Sequence, residues 1–341
     1  MKIWFDILTP KQLVFFEPLI KQLRKKHQIL CTSRDYLQVT NLAKIRKLDI
    51  VIVGKHGGAK KEDKLLANLE RMNCLFKIIK KFKPELTISF CSPDASRISF
   101  GMGVKHIAFC DSPHADAVMK LSIPLIQKLL IPWIIPKNEF IRFGIDKKNI
   151  ITYKSIDAAI TIKRKSQNQR ISLKKNNKKN ILIRMEESEA AYSSKSTKII
   201  PIVKKIIEKF NEENIIILGR YSEQIHELKN LFGNKVQILD MSYDGKILLE
   251  NTDIFIGSGG TMTAESALLG IPTISYNAMP NLVEKYLVKT KIITRESNPS
   301  KIAKLIKKLI DKPDNQTKKK AEKLLDSMEN PHKKLIKIFK L

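Results

Sequence analysis

The chain has 341 residues, 43% of them hydrophobic, and a formal net charge of +29 at pH 7. This length can supply a full hydrophobic core and favours two domains over one. No stretch reaches the roughly 18 uninterrupted apolar residues of a membrane span, because the most apolar one, Leu121 to Pro136, contains three prolines and a lysine. The start MKIWFDIL lacks the pattern of a signal peptide, so we expect a cytoplasmic protein.

The excess positive charge would attract anions such as nucleic acid, acidic lipid head groups and nucleotides. The lysines recur on nearly every predicted helix, however, so solvated helix faces and a compositional bias explain them equally well. Among these anions nucleic acid is disfavoured, because no ribonucleoprotein signature is present and aromatic residues make up only 7% of the chain.

The four cysteines, Cys31, Cys74, Cys91 and Cys110, lie in or beside apolar segments. They form no Cys-x-x-Cys pair, and no histidine cluster has the spacing of a zinc site. We therefore interpret them as reduced core thiols and expect neither a metal nor another cofactor.

Apolar runs and amphipathic helical patterns alternate along the chain, which predicts βαβ units and parallel sheets. The predicted strands are 2–7, 28–32, 49–53, 85–90, 104–109 and 128–134 in the first half, and 180–184, 214–218, 236–240, 253–257, 271–276 and 291–294 in the second. The predicted helices are 11–26, 35–47, 62–82, 93–102 and 114–127, then 196–211, 222–232, 244–251, 261–269, 281–290 and 299–311.

A polar segment rich in Asn and Lys, residues 163–179, separates the two halves and is predicted to be a linker. The resulting organisation is a first domain over 1–162, a second over 180–316 and a helical tail over 317–341. The tail carries a helix, a break at Pro331 and a last amphipathic turn, and it either packs back across the first domain or lies on an anionic membrane. The fold class is α/β, with two Rossmann-like, doubly wound domains facing a cleft, where ligands bind at the carboxyl ends of the strands.

One turn in the second half has the composition of a phosphate site. A strand ends at Gly257, the segment Ser258, Gly259 and Gly260 follows, and a helix begins near Thr261. Helix amides beside glycine can bind a phosphate, and Glu265, one turn into the helix, can accept the two hydroxyls of a ribose. The spacing matches neither Gly-x-Gly-x-x-Gly nor a P-loop, and a tight βα turn with a first-turn acid is the alternative interpretation.

Polar turns follow five predicted strands of the first half, which would bring them together at one edge of the sheet. They contain Lys11, Gln12, Arg34, Asp35, Lys55, His56, Gly57, Gly58, Ser92, Pro93, Asp94, Asp111, Ser112, Pro113, His114 and Asp116. His114 is the first candidate for a general base, with Asp111 or Asp116 fixing its tautomer. It can instead cap the turn after Pro113. His56 is the second candidate, beside glycines that either admit a ligand or bend the loop.

Further candidates in the second half also follow strands. Arg184 and Arg220 can each pair with a phosphate oxygen, although exposed arginines are common in so basic a chain. Glu186, Glu187 and Glu189 either line the cleft or belong to a solvated loop, and Asn281, at a helix start, can contact the sugar.

The stretch GSGGTMTAESALLGIP resembles the nucleotide-sugar element of GT-B glycosyltransferases and of UDP-N-acetylglucosamine 2-epimerases. That resemblance implies that Ser258, Gly259 and Gly260 hold a diphosphate and Glu265 the ribose, and that LDMSYDGKI borders the base. MKIWFDILTPKQ, TSRDY, GKHGG, SPDASR and SPHADAV together resemble a mostly archaeal family, domain-of-unknown-function family 354, over nearly the whole chain.

The resemblance implies a GT-B-type glycosyltransferase-like enzyme that uses a nucleotide-activated, UDP-linked sugar and an unknown acceptor. The alternative within the same fold is epimerisation at C2 of the sugar. Against it, the first turn offers TPKQ where the epimerases have an arginine, and acids are scarce. Two further alternatives are a non-catalytic binder of RNA or membrane surfaces and a nucleotide-binding regulator. The oligomeric state stays open.

Overall fold

A computed structural model describes residues 1–58, 60–164, 177–186, 199–219, 222–239, 243–276, 281–312 and 314–341. They form two compact units, the first comprising Met1–Ile160 and Glu329–Leu341 and the second Thr161–Met328. Arg220, Glu187, Glu189 and residues 165–176 of the predicted linker lie outside the described residues.

The first unit is built on a seven-stranded parallel sheet in the order β3-β2-β1-β4-β5-β6-β7. Its strands are β1 (Lys2–Asp6), β2 (Gln28–Asp35), β3 (Val51–Lys55), β4 (Leu86–Ser89), β5 (Lys105–Phe109), β6 (Lys128–Pro132) and β7 (Ile150–Tyr153). The helices between and after them are α1 (Pro10–Leu23), α2 (Leu37–Ile45), α3 (Lys61–Phe82), α4 (Pro93–Gly101), α5 (Asp116–Ser122), α6 (Asn138–Ile141) and α7 (Asp157–Lys163).

The second unit contains a six-stranded parallel sheet in the order β10-β9-β8-β11-β12-β13. Its strands are β8 (Asn180–Arg184), β9 (Asn214–Leu218), β10 (Gln237–Leu239), β11 (Ile254–Gly257), β12 (Thr273–Ser275) and β13 (Thr294–Arg295). Its helices are α8 (Ile199–Lys209), α9 (Ser222–Phe232), α10 (Gly245–Glu250), α11 (Thr261–Leu268), α12 (Leu282–Lys289), α13 (Pro299–Asp311) and α14 (Asn315–Asp326).

The central strands are apolar through their middle residues because helices cover both faces of each sheet. In β1, Ile3, Trp4 and Phe5 are all fully buried, and Ile181 to Ile183 repeat this pattern in β8. The predicted α/β class with two parallel, doubly wound sheets is confirmed, and the predicted strands occur within a few residues of their places. The seventh strand of the first sheet, β7, was not predicted, because four residues carry too little pattern to be recognised alone.

The last helix, α15 (Pro331–Phe339), belongs to the first unit although it is the end of the chain. Leu335 is fully buried, and the ring of His332 packs edge-on against Phe15 at 4.7 Å between centroids. Of the two placements left open for the tail, packing on the first unit holds for α15, whereas α14 belongs to the second unit. Within the described residues no helix is both long and apolar enough to cross a membrane.

The cysteine prediction is correct for three residues and wrong for one. All four thiols are free, and Cys31, Cys91 and Cys110 are buried. Cys74 is exposed, because it lies on the outer side of α3 while Arg71, Leu75 and Ile79 face inward.

Candidate functional site

A buried ion network occupies the carboxyl end of β1 in the first unit. The strand order reverses between β1 and β4, and such a switch point is where doubly wound sheets bind ligands. Asp6 ends β1, and its carboxylate accepts from Arg71 Nη2 at 2.6 Å and from the Ser92 hydroxyl at 2.6 Å. Arg71 also pairs with Asp94 and donates from Nε to the carbonyl oxygen of Val53 at 2.9 Å.

Two residues predicted to contact the acceptor substrate, Ser92 and Asp94, belong to this network. Ser92 is the N-cap of α4 and accepts from the amide of Ala95 at 3.2 Å, while Asp94 accepts from both Arg71 and Asn68. Both side chains are buried and bonded within the protein, so their contact with an acceptor substrate stays a prediction. Burial raises the pKa of Asp6, but the charge of Arg71 outweighs it and holds that pKa below its usual value.

A second cluster lies beyond β5 and β7, where one lysine bridges two carboxylates. Lys11 Nζ, at the start of α1, pairs with Asp111 and lies 2.7 Å from Asp157 Oδ2. The Tyr153 hydroxyl donates to Asp157 Oδ1 at 2.6 Å, and the Ser112 hydroxyl donates to Asp111 Oδ1 at 2.8 Å. Lys11 and Asp111 are each 19% exposed and Asp157 only 2%, so the cluster is open to solvent on one side.

The two carboxylates of this lysine cluster have opposite pKa shifts. Burial favours the neutral acid in both, but Lys11 and the hydrogen bonds it makes lower the pKa of Asp111 below its usual value. Burial raises the pKa of Asp157 to about 6, with Lys11 opposing the shift and the charge of Asp111 adding to it. One acid is therefore ionised at neutral pH, while the other titrates close to it, the combination that acid–base catalysis uses.

Sequence reasoning selected Lys11 and Asp111 but missed Asp157 and Tyr153. Both follow from β7, the strand that was not predicted, so the acid after its carboxyl end went unnoticed. The available signal was the short β-branched run IITY followed by an aspartate four residues on.

The predicted base His114 is exposed in the loop after β5. Desolvation of the part of its ring that faces the protein lowers its pKa, while the charge of Asp111 raises that pKa and the charge of Lys11 lowers it. Asp116, the second proposed tautomer partner, instead pairs with Lys120 at 2.9 Å on the surface of α5. Of the two candidate partners, only Asp111 belongs to the lysine cluster.

Near β3 and α1, the residues predicted to line the site make hydrogen bonds and packing contacts with their own loops. The Nδ1 atom of His56 accepts from the Gly58 amide at 3.2 Å, and its ring stacks on Tyr36. A Cβ on Gly57 would come within 2.6 Å of the Asp63 carbonyl oxygen, so glycine is needed there for packing on α3. Gln12 Oε1 accepts from the Leu8 amide at 2.7 Å, and Lys55 is exposed.

In the second unit the glycine turn lies at the corresponding switch point, since β11 neighbours β8 where the strand order reverses. Gly259 has φ +81°, a conformation that favours glycine. Its amide donates to Thr263 Oγ1 at 3.2 Å. Gly260 is the N-cap of α11 and provides no side-chain cap to the helix, which begins at Thr261.

The other predicted nucleotide contacts surround this turn. Asn281 Oδ1 caps α12 by accepting from the Glu284 amide at 2.8 Å, and its Nδ2 donates to the Gly259 carbonyl oxygen at 3.3 Å. Glu265 is 7% exposed in the second turn of α11, and Ser258 is half-buried.

Arg184 is not an exposed arginine. It is 6% exposed, and its Nη1 donates to the carbonyl oxygen of Gly219 at 2.7 Å. The Tyr276 hydroxyl donates to Glu186 at 2.6 Å, which holds this acid beside the end of β8. In the described ranges no group of three or more His, Cys, Asp or Glu side chains is arranged to hold a metal ion.

The two parallel sheets with their flanking helices define the class, a two-domain α/β protein with the GT-B-like architecture. The crystal structure of UDP-GlcNAc 2-epimerase from Neisseria meningitidis bound to UDP-GlcNAc matches with a TM-score of 0.74 and 15% identity, covering 99% of each chain. The spinosyn forosaminyltransferase SpnP matches with a TM-score of 0.65 and 12% identity, covering 100% of this chain and 98% of that one. At such identities the likeness shows the fold alone.

The family follows from the sequence itself. The chain belongs to the family described as Protein of unknown function (DUF354), whose model matches residues 1–336. An uncharacterized protein from Methanocaldococcus jannaschii, MJ0665, is 29% identical over 305 residues, which is 85% of this chain and 86% of that protein. The predicted family resemblance is thus confirmed.

Proposed function

We propose that this protein is an enzyme that acts on a nucleotide-activated sugar and that its second unit holds the nucleotide. The observation that carries the proposal is the start of α11, where a glycine turn at the switch point leads into a helix without a side-chain cap. The amides of that first turn and the positive end of the helix dipole favour the charge of a diphosphate.

The remaining nucleotide contacts follow from the resemblance in the glycine turn. Ser258 and Thr261 donate hydroxyl hydrogen bonds to the diphosphate, and Glu265 accepts from the ribose. The UDP-GlcNAc present in the Neisseria epimerase structure supports a UDP-linked sugar as the ligand.

The lysine cluster of the first unit supplies acid–base chemistry in this proposal. In transfer, the acceptor oxygen bonds to C1 of the sugar, the bond from C1 to the diphosphate oxygen breaks, and the acceptor proton passes to Asp111 or His114. Asp157 pairs with the same Lys11 ammonium as Asp111, and its pKa of about 6 lies near working pH. In this proposal Asp157 takes up and returns protons beside Asp111. The leaving diphosphate keeps the electron pair of the broken bond, and the start of α11 stabilises its charge.

Nucleotide binding is tested first, by thermal unfolding with nucleoside diphosphates and nucleotide-sugars. A ligand at 100 times its Kd adds about 2.7 kcal/mol of stability. We expect UDP or a UDP-sugar to give such a shift, Glu265→Gln to reduce it and the exposed control Glu212→Gln to leave it unchanged. The absence of a shift with every nucleotide, or an equal shift in both variants, would remove the proposal.

The transferase and epimerase alternatives are distinguished by the products that form when no acceptor substrate is present. Incubation with UDP-GlcNAc alone gives a C2 epimer, visible by proton NMR, only under the epimerase alternative. Under the transferase proposal, UDP is released only when an acceptor is added. In either case Asp111→Asn should abolish turnover and keep nucleotide affinity, because Asp111 lies outside the nucleotide-binding unit.

The non-catalytic alternative makes a different prediction. A basic RNA-binding protein would show affinity that falls steeply with salt and that survives the replacement of Glu265 and Gly259. That result, together with no nucleotide-sugar binding, would replace the enzyme proposal.

A further inference from the structure

An apolar surface on the first unit has no partner within the described residues. Six of the eleven exposed large hydrophobic side chains lie on the edge strand β3 and the following helix α3. On β3 they are Val51 and Ile52, with 41% and 43% exposure; on α3 they are Leu65, Leu66, Leu69 and Phe76, with 45% to 59%. Exposed apolar side chains concentrated in this way mark an interaction surface.

The exposed residues of α3 have the spacing of a helix-pairing seam. Leu65, Leu69, Met72 and Phe76 follow one another at intervals of four, three and four residues, the repeat that brings side chains onto one stripe of a helix. Met72 is only partly buried, at the border of the inward face formed by Arg71, Leu75 and Ile79. We define the α3 seam as Leu65, Leu69, Met72 and Phe76.

The α3 seam is complementary to itself when two helices run antiparallel. If Leu69 of one helix lies opposite Met72 of the other, Leu65 lies opposite Phe76 in the same register. A single two-fold axis therefore gives each of the four residues an apolar partner. The seam spans 11 residue steps, about 16 Å of helix.

The charges of α3 favour the same direction. Its first half carries three exposed acids, Glu62, Asp63 and Glu70, together with Lys61 and Lys64, whereas the exposed charges of its second half are all bases, Lys77, Lys80 and Lys81. No ion pair is formed by those three acids within the part of the chain that the structure describes. An antiparallel pair brings Glu62 of one copy beside Lys80 of the other, whereas a parallel pair would place like charges together.

We propose that the α3 seam is the interface of a homodimer in which two copies of this chain pair their α3 helices antiparallel about a two-fold axis. The edge strand β3 lies alongside and adds Val51 to the covered surface, because Val51 shares a sheet face with Val53, which packs on α3. This inference is independent of the proposed function, because it uses neither the glycine turn nor the lysine cluster.

The test is the mass in solution, measured by sedimentation and light scattering on the full chain from about 1 to 100 µM, a range that detects dimers of micromolar Kd. We expect a dimer. Leu69→Glu and Phe76→Glu should each weaken it at least about 30-fold, as central interface residues do. Leu121→Glu, an equally exposed leucine on α5, should leave the dimer intact. Circular dichroism establishes that each variant is folded.

The direction of pairing is tested by charge reversal. Glu62→Lys should weaken the dimer, and the double variant Glu62→Lys with Lys80→Glu should restore it, because each copy then offers both partners again. A double variant no stronger than the single one would overturn the antiparallel arrangement. A monomeric wild-type chain, or a dimer that survives Leu69→Glu and Phe76→Glu, would overturn the interface. A monomer that binds vesicles of phosphatidylcholine and phosphatidylserine through Leu69 would replace it with a lipid surface.

Discussion

At the scale of single residues, Lys11 decides whether two neighbouring carboxylates can coexist. Burial alone would lower its pKa, but the charges of Asp111 and Asp157 outweigh burial and raise it, so the ammonium stays charged. We expect Lys11→Met to cost about 3 kcal/mol in the free energy of unfolding, because it leaves acids without their cation. Urea unfolding measures this cost. Adding Asp157→Asn to that variant should recover part of the loss, and a single variant as stable as wild type would contradict this role.

Two buried histidines make the first unit sensitive to acid. Burial lowers the pKa of His332 to about 3, and that of His106 to about 3 against the opposing charge of Asp6. In the unfolded chain a histidine titrates near pH 6.5, so the stability that each neutral ring contributes is complete above that pH and is lost as the pH falls toward 3.

Between pH 6.5 and 5 we expect a loss of about 2 kcal/mol for each of these histidines. The variant His332→Leu cannot gain the proton in either state, so its stability should fall with a shallower slope than wild type. Urea unfolding at pH 7, 6 and 5 compares the two slopes. Parallel slopes would show that His332 is not held neutral.

At the scale of elements, Asn281 joins the start of α12 to the glycine turn. Its side chain caps the helix and also donates to the carbonyl oxygen of Gly259. Asn281→Ala should therefore lower the free energy of unfolding by about 1 kcal/mol, the usual value of an N-cap, and weaken nucleotide binding through the displaced turn. Asn281→Asp keeps the cap and loses the donor, so its unfolding should match wild type. If Asn281 only contacts the sugar, both variants should change nucleotide-sugar affinity and unfold like wild type, which would contradict the capping role.

At the scale of the whole molecule, the chain leaves the first unit after Ile160 and returns to it at Glu329. The return is anchored by the fully buried Leu335 of α15. We expect Leu335→Ala to cost about 3 kcal/mol, as core truncations do, and Ile338→Ala, 43% exposed on the same helix, to cost well under 1 kcal/mol. Chemical unfolding of both variants makes the comparison. Equal costs would mean that α15 does not complete the core.

The sequence predicted most of the fold because its signals are local. Alternation of apolar runs with amphipathic stretches identifies parallel βαβ units, and a strand such as Ile181 to Ile183 is apolar throughout because both faces are covered. The glycine turn is also visible in the sequence, since a left-handed residue such as Gly259 and a helix start are properties of neighbouring residues. The failures were short elements such as β7, whose four residues acquire their place from pairing with β6.

What the sequence alone determined was therefore the fold class, the strands around both switch points and the family to which the chain belongs. Only the tertiary structure decided which polar residues meet: Lys11 with Asp157, Asp6 with Arg71, and α15 with the first unit. The reason is physical, since an ion pair depends on where packed helices direct their side chains. Lys11 and Asp157 are 146 positions apart, and no local sequence pattern predicts their contact.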